Sequence, residues 1–196
     1  IKKGESVIFA ASTTESKVRT LKKLFDDEVE ERSPRDNFFH CLVNAAHQFH
    51  VRGKGNERYL LAGYPWFKGR ARDTFISLPG LTLSIEEADY FKYVMATAAK
   101  GLREFMEGKS LTVKIAELEQ PDVPLWAIWC VQQYDKKVGS DDCNTRYGKL
   151  VYDIIDYITA GKHPNLKLDD CGLLKTDGRT KAVTWMNSTV NGRPVV

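Results

Sequence analysis

Residues 84–108 read SIEEADYFKYVMATAAKGLREFMEG, and this stretch decides the class of fold. Its apolar residues recur at spacings of three and four, which is the period of one face of an α-helix. They are Ala88, Phe91, Val94, Met95, Ala98 and Leu102. The pattern predicts a long amphipathic helix from Ser84 to Glu107 with one face packed on a core.

Five further segments carry helical patterns on either side of this stretch. The predicted helices span 15–31, 36–50, 73–83, 124–138 and 145–160, and Pro79 is expected to kink or end the third. Strand signals are few: SVIFA at 6–10 predicts a short strand, and Asp177-Gly178 predicts the turn of a hairpin within 166–185. The absence of βαβ alternation and of a GxGxxG string disfavours a doubly wound nucleotide domain. The sequence therefore predicts an all-α chain with a short N-terminal β segment, built as an α-solenoid or an α/α toroid.

Composition removes several classes of function. The chain has 196 residues with 42% hydrophobic content, which fits one globular domain or one domain plus part of another. Lys and Arg number 29 against 26 Asp and Glu, and a net charge of +3 argues against a nucleic-acid partner. No apolar run approaches the roughly 20 residues that span a bilayer, so no membrane partner is expected. The four cysteines form no CxxC pair, and without a signal peptide we expect a reducing, cytoplasmic location and no cofactor.

The two ends of the chain are interpreted as cut. The chain opens on Ile1 rather than Met, in a string typical of a closing strand, and it closes on NGRPVV without a polar tail. We expect residues 1–14 to end a preceding domain and residues 15–196 to form a separate one.

The string AGYPWFKGRARDTFISLPGL at residues 62–81 carries candidate binding chemistry. Aromatic rings pack against the apolar faces of sugars, and charged side chains make directional bonds to pairs of hydroxyls. Tyr64, Trp66, Arg72 and Asp73 within one short loop therefore suit a carbohydrate. The alternative is a buried loop in which an Arg-Asp pair is held over core aromatics.

Three other strings carry weaker signals. PDVPLWAIW places Asp122 before a helix start, followed by Trp126; the first suits an N-cap and the second a core position as readily as a binding site. AVTWMNS places Trp185 at a plausible rim after a hairpin, and Asp169 and Asp170 suit a turn better than catalysis.

The histidines do not predict a metal site. His47 and His50 lie at i and i+3, a spacing that can bind a metal, but no carboxylate pattern accompanies them. We therefore favour surface or packing roles for both.

Three strings in order, AGYPWF…RDTFISLPGL, PDVPLWAIW and TWMNSTVNGRPV, resemble the bacterial and archaeal glycogen debranching enzymes and the amylo-α-1,6-glucosidase part of the eukaryotic enzyme. The resemblance covers the chain from residue 15 to its end, and residues 1–14 resemble the exit from the β-sandwich that precedes the catalytic domain. It implies the double helical ring of the glucoamylases. It also implies a partner, glycogen or another branched α-glucan, and hydrolysis of its single α-1,6-linked glucose with inversion.

The resemblance also implies roles for particular residues. Arg72 and Asp73 would hold the hydroxyls of the terminal glucose, and Tyr64 and Trp66 would wall its pocket. Asp122, Trp126 and Trp185 belong to the two further strings that line it. The family's Trp-Gly before its Arg-Asp pair is replaced by Arg70-Ala71, which would alter the pocket wall.

Two further departures concern catalysis. Asn187 stands where the family has the aspartate interpreted as the general acid, and an amide cannot donate a proton usefully near neutral pH. The resemblance places the general base beyond residue 196, so the chain is expected to hold the first half of the toroid, to be inactive alone and to self-associate through uncovered apolar faces. The alternatives are a weak or inactive relative that still binds glucan, and a helical scaffold for protein partners.

Overall fold

The computed structural model describes residues 1–12, 14–64, 66–179 and 181–195, and about half of these residues are helical. The helices are α1 (Leu21–Glu31), α2 (Phe38–His47), α3 (Ala71–Thr82), α4 (Ala88–Met106), α5 (Val123–Val138), α6 (Ser140–Cys143) and α7 (Lys149–Thr159), with 3-10 turns at Val18–Thr20 and Leu83–Ile85. The strands are β1 (His50–Arg52), β2 (Arg58–Leu60), β3 (Gly69–Arg70), β4 (Ile115–Ala116), β5 (Lys167–Leu168), β6 (Leu174–Lys175), β7 (Thr189–Val190) and β8 (Arg193–Pro194). The mostly helical class is confirmed, whereas the toroid stays a prediction.

The chain divides into two compact units, residues 1–45 and 46–196. In the first unit α1 buries none of its residues, and its apolar stripe, Leu24, Phe25 and Val29, is half exposed. The strand predicted at 6–10 is wrong, because residues 6–10 form no strand and Phe9 is almost fully exposed. A lone extended segment without a pairing partner leaves its backbone groups to water. The predicted domain boundary at residue 14 stays a prediction.

The core of the second unit lies among α3, α4, α5 and α7. The apolar stripe of α4 is confirmed, since Phe91, Val94, Met95, Ala98 and Leu102 are fully buried. The ring of Phe91 stacks on Tyr134 of α5 with centroids 4.8 Å apart, and Tyr134 meets Tyr147 edge to face at 5.2 Å. Aromatic pairs at these separations add to the stabilisation from burial alone.

The boundaries of α3 and α4 differ from the prediction. α3 begins at Ala71 and continues through Pro79 to Thr82, so Pro79 does not end it. The buried ring of Pro79 packs in the core, and the hydroxyl of Thr82 donates to the carbonyl of Leu78 at 2.5 Å. α4 begins only at Ala88, because Glu86 adopts a left-handed backbone (φ 64°) that interrupts the helix predicted from Ser84.

The first C-terminal hairpin lies within the predicted segment 166–185, but its turn is not at the predicted position. β5 pairs with β6 across a turn held by Asp169, whose Oδ1 accepts the amides of Cys171 and Leu173. The turn role of Asp169 is confirmed, and the hairpin turn predicted at Asp177-Gly178 is wrong, because those residues follow β6. β7 and β8 close on Asn191-Gly192, both at positive φ, which is the geometry of a two-residue hairpin turn.

Candidate functional site

A short parallel strand pair brings the start of α3 beside the start of α5. β3 pairs with β4, with Gly69 opposite Ile115. Only glycine fits well at 69, because a Cβ there would lie 3.2 Å from the carbonyl oxygen of Lys114. The chain then enters α3 directly after β3 and enters α5 six residues after β4. This pairing positions Arg72 and Asp122, although they are 50 residues apart in the sequence.

Arg72 and Asp122 form a two-point ion pair. Nε of Arg72 donates to Oδ2 of Asp122 at 2.7 Å, and the second guanidinium nitrogen donates to Oδ1 at 2.8 Å. The side chains are only 8% and 16% exposed. Parallel hydrogen bonds of this kind fix the plane of the carboxylate as well as its position. Asp122 occupies the N-cap position of α5 without a capping bond from its side chain, because the carboxylate is directed to Arg72 instead.

The indole of Trp126 is attached to the same carboxylate. Its Nε1 donates to Oδ2 of Asp122 at 3.1 Å. A carboxylate offers about four acceptor positions, so Oδ2 is saturated by Arg72 and Trp126 while Oδ1 retains room for one more donor. The remaining position suits a hydroxyl of a ligand.

A cavity of about 470 Å³ opens in front of this group. Its lining comes from the start of α5 and from the segment before β7, and it is mainly apolar: Asp122, Leu125, Trp126, Trp129, Thr184, Trp185 and Met186. The rings of Trp126 and Trp129 meet edge to face, with centroids 5.5 Å apart. An apolar, aromatic-lined cavity with one fixed polar group is typical of a small-molecule site.

The structure brings together some of the predicted site residues and separates others. Asp122, Trp126 and Trp185 line one cavity, and Arg72 lies behind Asp122. Asn187 is exposed one residue beyond the lining segment and does not belong to the lining.

The remaining predicted residues lie outside the cavity. Tyr64 and Trp66 are 70% and 82% exposed, and Asp73 is exposed in the first turn of α3. Neighbouring residues of a helix point about 100° apart, and here Arg72 is buried while Asp73 is exposed. The expectation that both hold the hydroxyls of one glucose stays a prediction. Among the described residues Arg72 takes Asp122 as its partner, so the Arg-Asp pair of the buried-loop alternative does not form between Arg72 and Asp73.

Sequence reasoning missed two features of the second unit. Leu125, Thr184 and Met186 join the lining without any signal of their own, since only the fold brings the segment before β7 to α5. Glu87 lies beside His47 and His50, and this set of three is the cluster of potential metal ligands found in the described part of the chain. Glu87 follows His50 by 37 residues, so no local spacing signals it.

In the part of the chain that the structure describes, no helix has the length and apolarity required to cross a membrane.

A family model described as amylo-alpha-1,6-glucosidase matches residues 44–196. The chain therefore belongs to the amylo-alpha-1,6-glucosidase family. The match includes the Arg72–Asp122 pair and every residue that lines the cavity. No curated protein and no solved structure matches the chain.

Proposed function

We propose that this chain contributes the glucose-binding part of a debranching glycoside hydrolase, which cleaves the single α-1,6-linked glucose at branch points of glycogen or limit dextrin with inversion. The observation that carries the proposal is the fixed Arg72–Asp122–Trp126 group facing a cavity walled by indoles. Membership of the amylo-alpha-1,6-glucosidase family supports the class of chemistry.

The binding step follows from the geometry of the cavity. A glucose ring presents axial C–H bonds that pack on the faces of Trp126, Trp129 or Trp185. One of its hydroxyls donates to Oδ1 of Asp122, whose position the guanidinium of Arg72 holds fixed. Because the carboxylate is already oriented before the sugar arrives, little ordering cost falls on the binding step.

The hydrolytic step needs two carboxyl groups. An inverting glycosidase uses a general acid and a general base about 6.5–9.5 Å apart, with the base activating a water. Among the described residues that line the cavity, Asp122 carries the carboxylate. Because that carboxylate is already paired with Arg72, we assign it to binding a sugar hydroxyl and not to proton transfer. The acid and the base therefore come from residues outside this lining, in the full-length gene product.

A second candidate function, glucan binding without hydrolysis, is favoured by one observation. Asn187 carries an amide at the position of the family's proposed acid. The cavity that would hold the sugar does not include residue 187, so loss of the acid leaves binding intact.

Glucose release from phosphorylase-limit dextrin by the full-length gene product separates the two functions. Release of glucose with Asn187 in place supports the hydrolase and shows that the acid lies elsewhere. Binding without release supports the glucan-binding function, and Asn187→Asp is then the rescue to try. If the protein neither binds the glucan nor releases glucose, both functions are contradicted and a helical scaffold is favoured.

The binding site itself is tested by Trp185→Ala. Trp185 is 64% exposed, so its removal should leave the fold intact. It should weaken the affinity for a branched oligosaccharide by about 10-fold or more, by analogy with the affinity lost when an aromatic ring that stacks on a base is removed. Tyr152→Ala is the matched control, because Tyr152 is an exposed aromatic on α7 outside the cavity lining. Equal affinity of the two variants, measured by titration calorimetry, would contradict the proposed site.

A further inference from the structure

Three potential metal ligands converge in the second unit although they come from three elements. His47 is the last residue of α2, His50 is the first residue of β1, and Glu87 directly precedes α4. Nε2 of His47 lies 2.6 Å from Oε1 of Glu87, and Nδ1 of His50 lies 3.8 Å from Oε2. One ligand atom from each residue lies within 4.8 Å of the other two.

The ring of His50 is oriented as in a metal ligand. Its Nε2 lies 3.0 Å from the carbonyl oxygen of Leu81, and since a carbonyl can only accept, Nε2 carries the proton. The lone pair of Nδ1 then faces Glu87. A hydrogen bond from the second ring nitrogen to a backbone carbonyl is the usual way in which proteins fix a ligating histidine. Stacking on Tyr90, with centroids 4.0 Å apart, holds the ring further.

The position of Glu87 is also fixed by its backbone. The amide of Glu87 donates to the carbonyl of Thr82 at 2.9 Å, directly after the left-handed residue Glu86. The side chain of His50 is 9% exposed, whereas that of His47 is 38% exposed. One side of the cluster is therefore packed and the other is open to solvent, which gives an ion a path of entry.

We propose that His47, His50 and Glu87 bind one divalent transition-metal ion of the zinc type. Two imidazoles and one carboxylate are the ligands of an open tetrahedral zinc site, in which the fourth position belongs to water. Imidazole nitrogen disfavours Mg²⁺ and Ca²⁺, which take oxygen ligands. At about 2.1 Å from the ion, neighbouring ligand atoms lie about 3.4 Å apart. The two observed separations, 2.6 Å from His47 to Oε1 and 3.8 Å from His50 to Oε2, involve different oxygens of Glu87. One ligand atom from each residue already lies within 4.8 Å of the other two, so side-chain rotations complete the site.

Ion binding requires a change of tautomer at His47. Without metal, Nε2 of His47 donates its proton to Glu87, and with metal the same nitrogen uses its lone pair on the ion. A neutral ring releases no proton in this change, because its proton moves to Nδ1. Only a protonated imidazole has to lose a proton to bind the ion, so affinity falls as the pH falls. The bound ion links the end of α2, β1 and the start of α4.

The test is titration of Zn²⁺ into the chelator-stripped, folded chain at neutral pH. Exposed Cys41 and Cys171 are replaced by serine beforehand, since free thiolates bind zinc. We expect saturable binding of about one ion per chain, and tetrahedral Co²⁺ absorption bands when Co²⁺ is the probe. No saturable binding of either ion by the folded chain overturns the proposal.

The ligands are identified by variants whose fold is checked by circular dichroism. Glu87→Gln and His47→Gln should each weaken Zn²⁺ affinity by at least about 100-fold, beyond the 10–100-fold typical of outer-shell partners. His40→Gln is the matched control, because His40 makes a similar 2.6 Å contact with Asp36 but lacks a second histidine ligand. Unchanged affinity in Glu87→Gln and His47→Gln overturns the assignment. If one of these two variants unfolds, the other tests the assignment: loss of its Co²⁺ absorption bands supports the site, and retention of the bands overturns it.

Discussion

Breaking the Arg72–Asp122 pair from one side should destabilise the chain more than removing both partners. Asp122→Ala leaves the guanidinium of Arg72 almost buried without an anion, and it also removes the acceptor of the Trp126 indole. Arg72→Met leaves the carboxylate with the indole as its described partner. In Arg72→Met/Asp122→Ala, neither charge remains.

The magnitudes follow from the burial of the pair. Removal of one partner of a buried ion pair costs about 3–5 kcal/mol, and we take the lower end, about 3 kcal/mol for each single variant, because Asp122 retains 16% exposure. The double variant loses packing and the indole bond but leaves no unpaired charge, so about 2 kcal/mol is expected. The coupling free energy is then about 4 kcal/mol, well above the additivity error of about 0.5 kcal/mol.

The assay is urea denaturation followed by tryptophan fluorescence, since the Trp126 indole is bonded to the carboxylate. The unsubstituted chain, the two single variants and the double variant are compared at one pH and ionic strength. An equal dependence of the free energy of unfolding on urea concentration in all four is the check on two-state unfolding. A coupling free energy within 0.5 kcal/mol of zero would refute the reasoning, because the two charges would then be independently solvated.

Further predictions concern packing, pH and association. Gly101→Ala should destabilise by about 1–3 kcal/mol in denaturation, because its Cβ would meet Val113 Cγ2 at 2.5 Å, whereas Gly80→Ala on exposed α3 surface should stabilise by up to about 1 kcal/mol. Burial lowers the pKa of His163, so the unfolded chain protonates first. The free energy of unfolding should therefore fall as the pH drops through about 6.5 towards the lower folded pKa, and His163→Asn should make that decline shallower. Sedimentation at rising concentration should show self-association, reduced by Tyr152→Glu on the exposed face of α7; a monomer throughout would contradict it.

Helical period was enough to predict most of the secondary structure. The buried stripe of α4 and the span of α5 follow from local spacing, and Gly139 and Gly161 mark helix ends as expected. Period cannot locate the start of α4, because the left-handed backbone at Glu86 is a local conformation that no apolar pattern encodes. It likewise cannot predict two-residue strands, whose pairing depends on the fold around them.

The candidate site was predictable in residue types but not in pairing. Arg72 and Asp73 were expected to hold one glucose together, whereas the ion pair between Arg72 and Asp122 was not expected. Side chains that are adjacent in sequence point in different directions from a helix. The β3–β4 pair, by contrast, brings residues 72 and 122 together from distant parts of the sequence. Asp122 also matched a helix cap, and only the position of Arg72 decides between the two roles.

Asp122 has two structural roles. Its carboxylate bonds Arg72 and so links α3 to the start of α5, and it also lines the cavity. A substitution at Asp122 is therefore expected to lower the free energy of unfolding whether or not the cavity holds a ligand. Asn187 is exposed and makes no such contribution to the core, so its substitution is expected to leave the free energy of unfolding nearly unchanged. The presence of this aspartate in a relative would therefore indicate that the α3–α5 contact is kept, and would not by itself indicate hydrolytic activity.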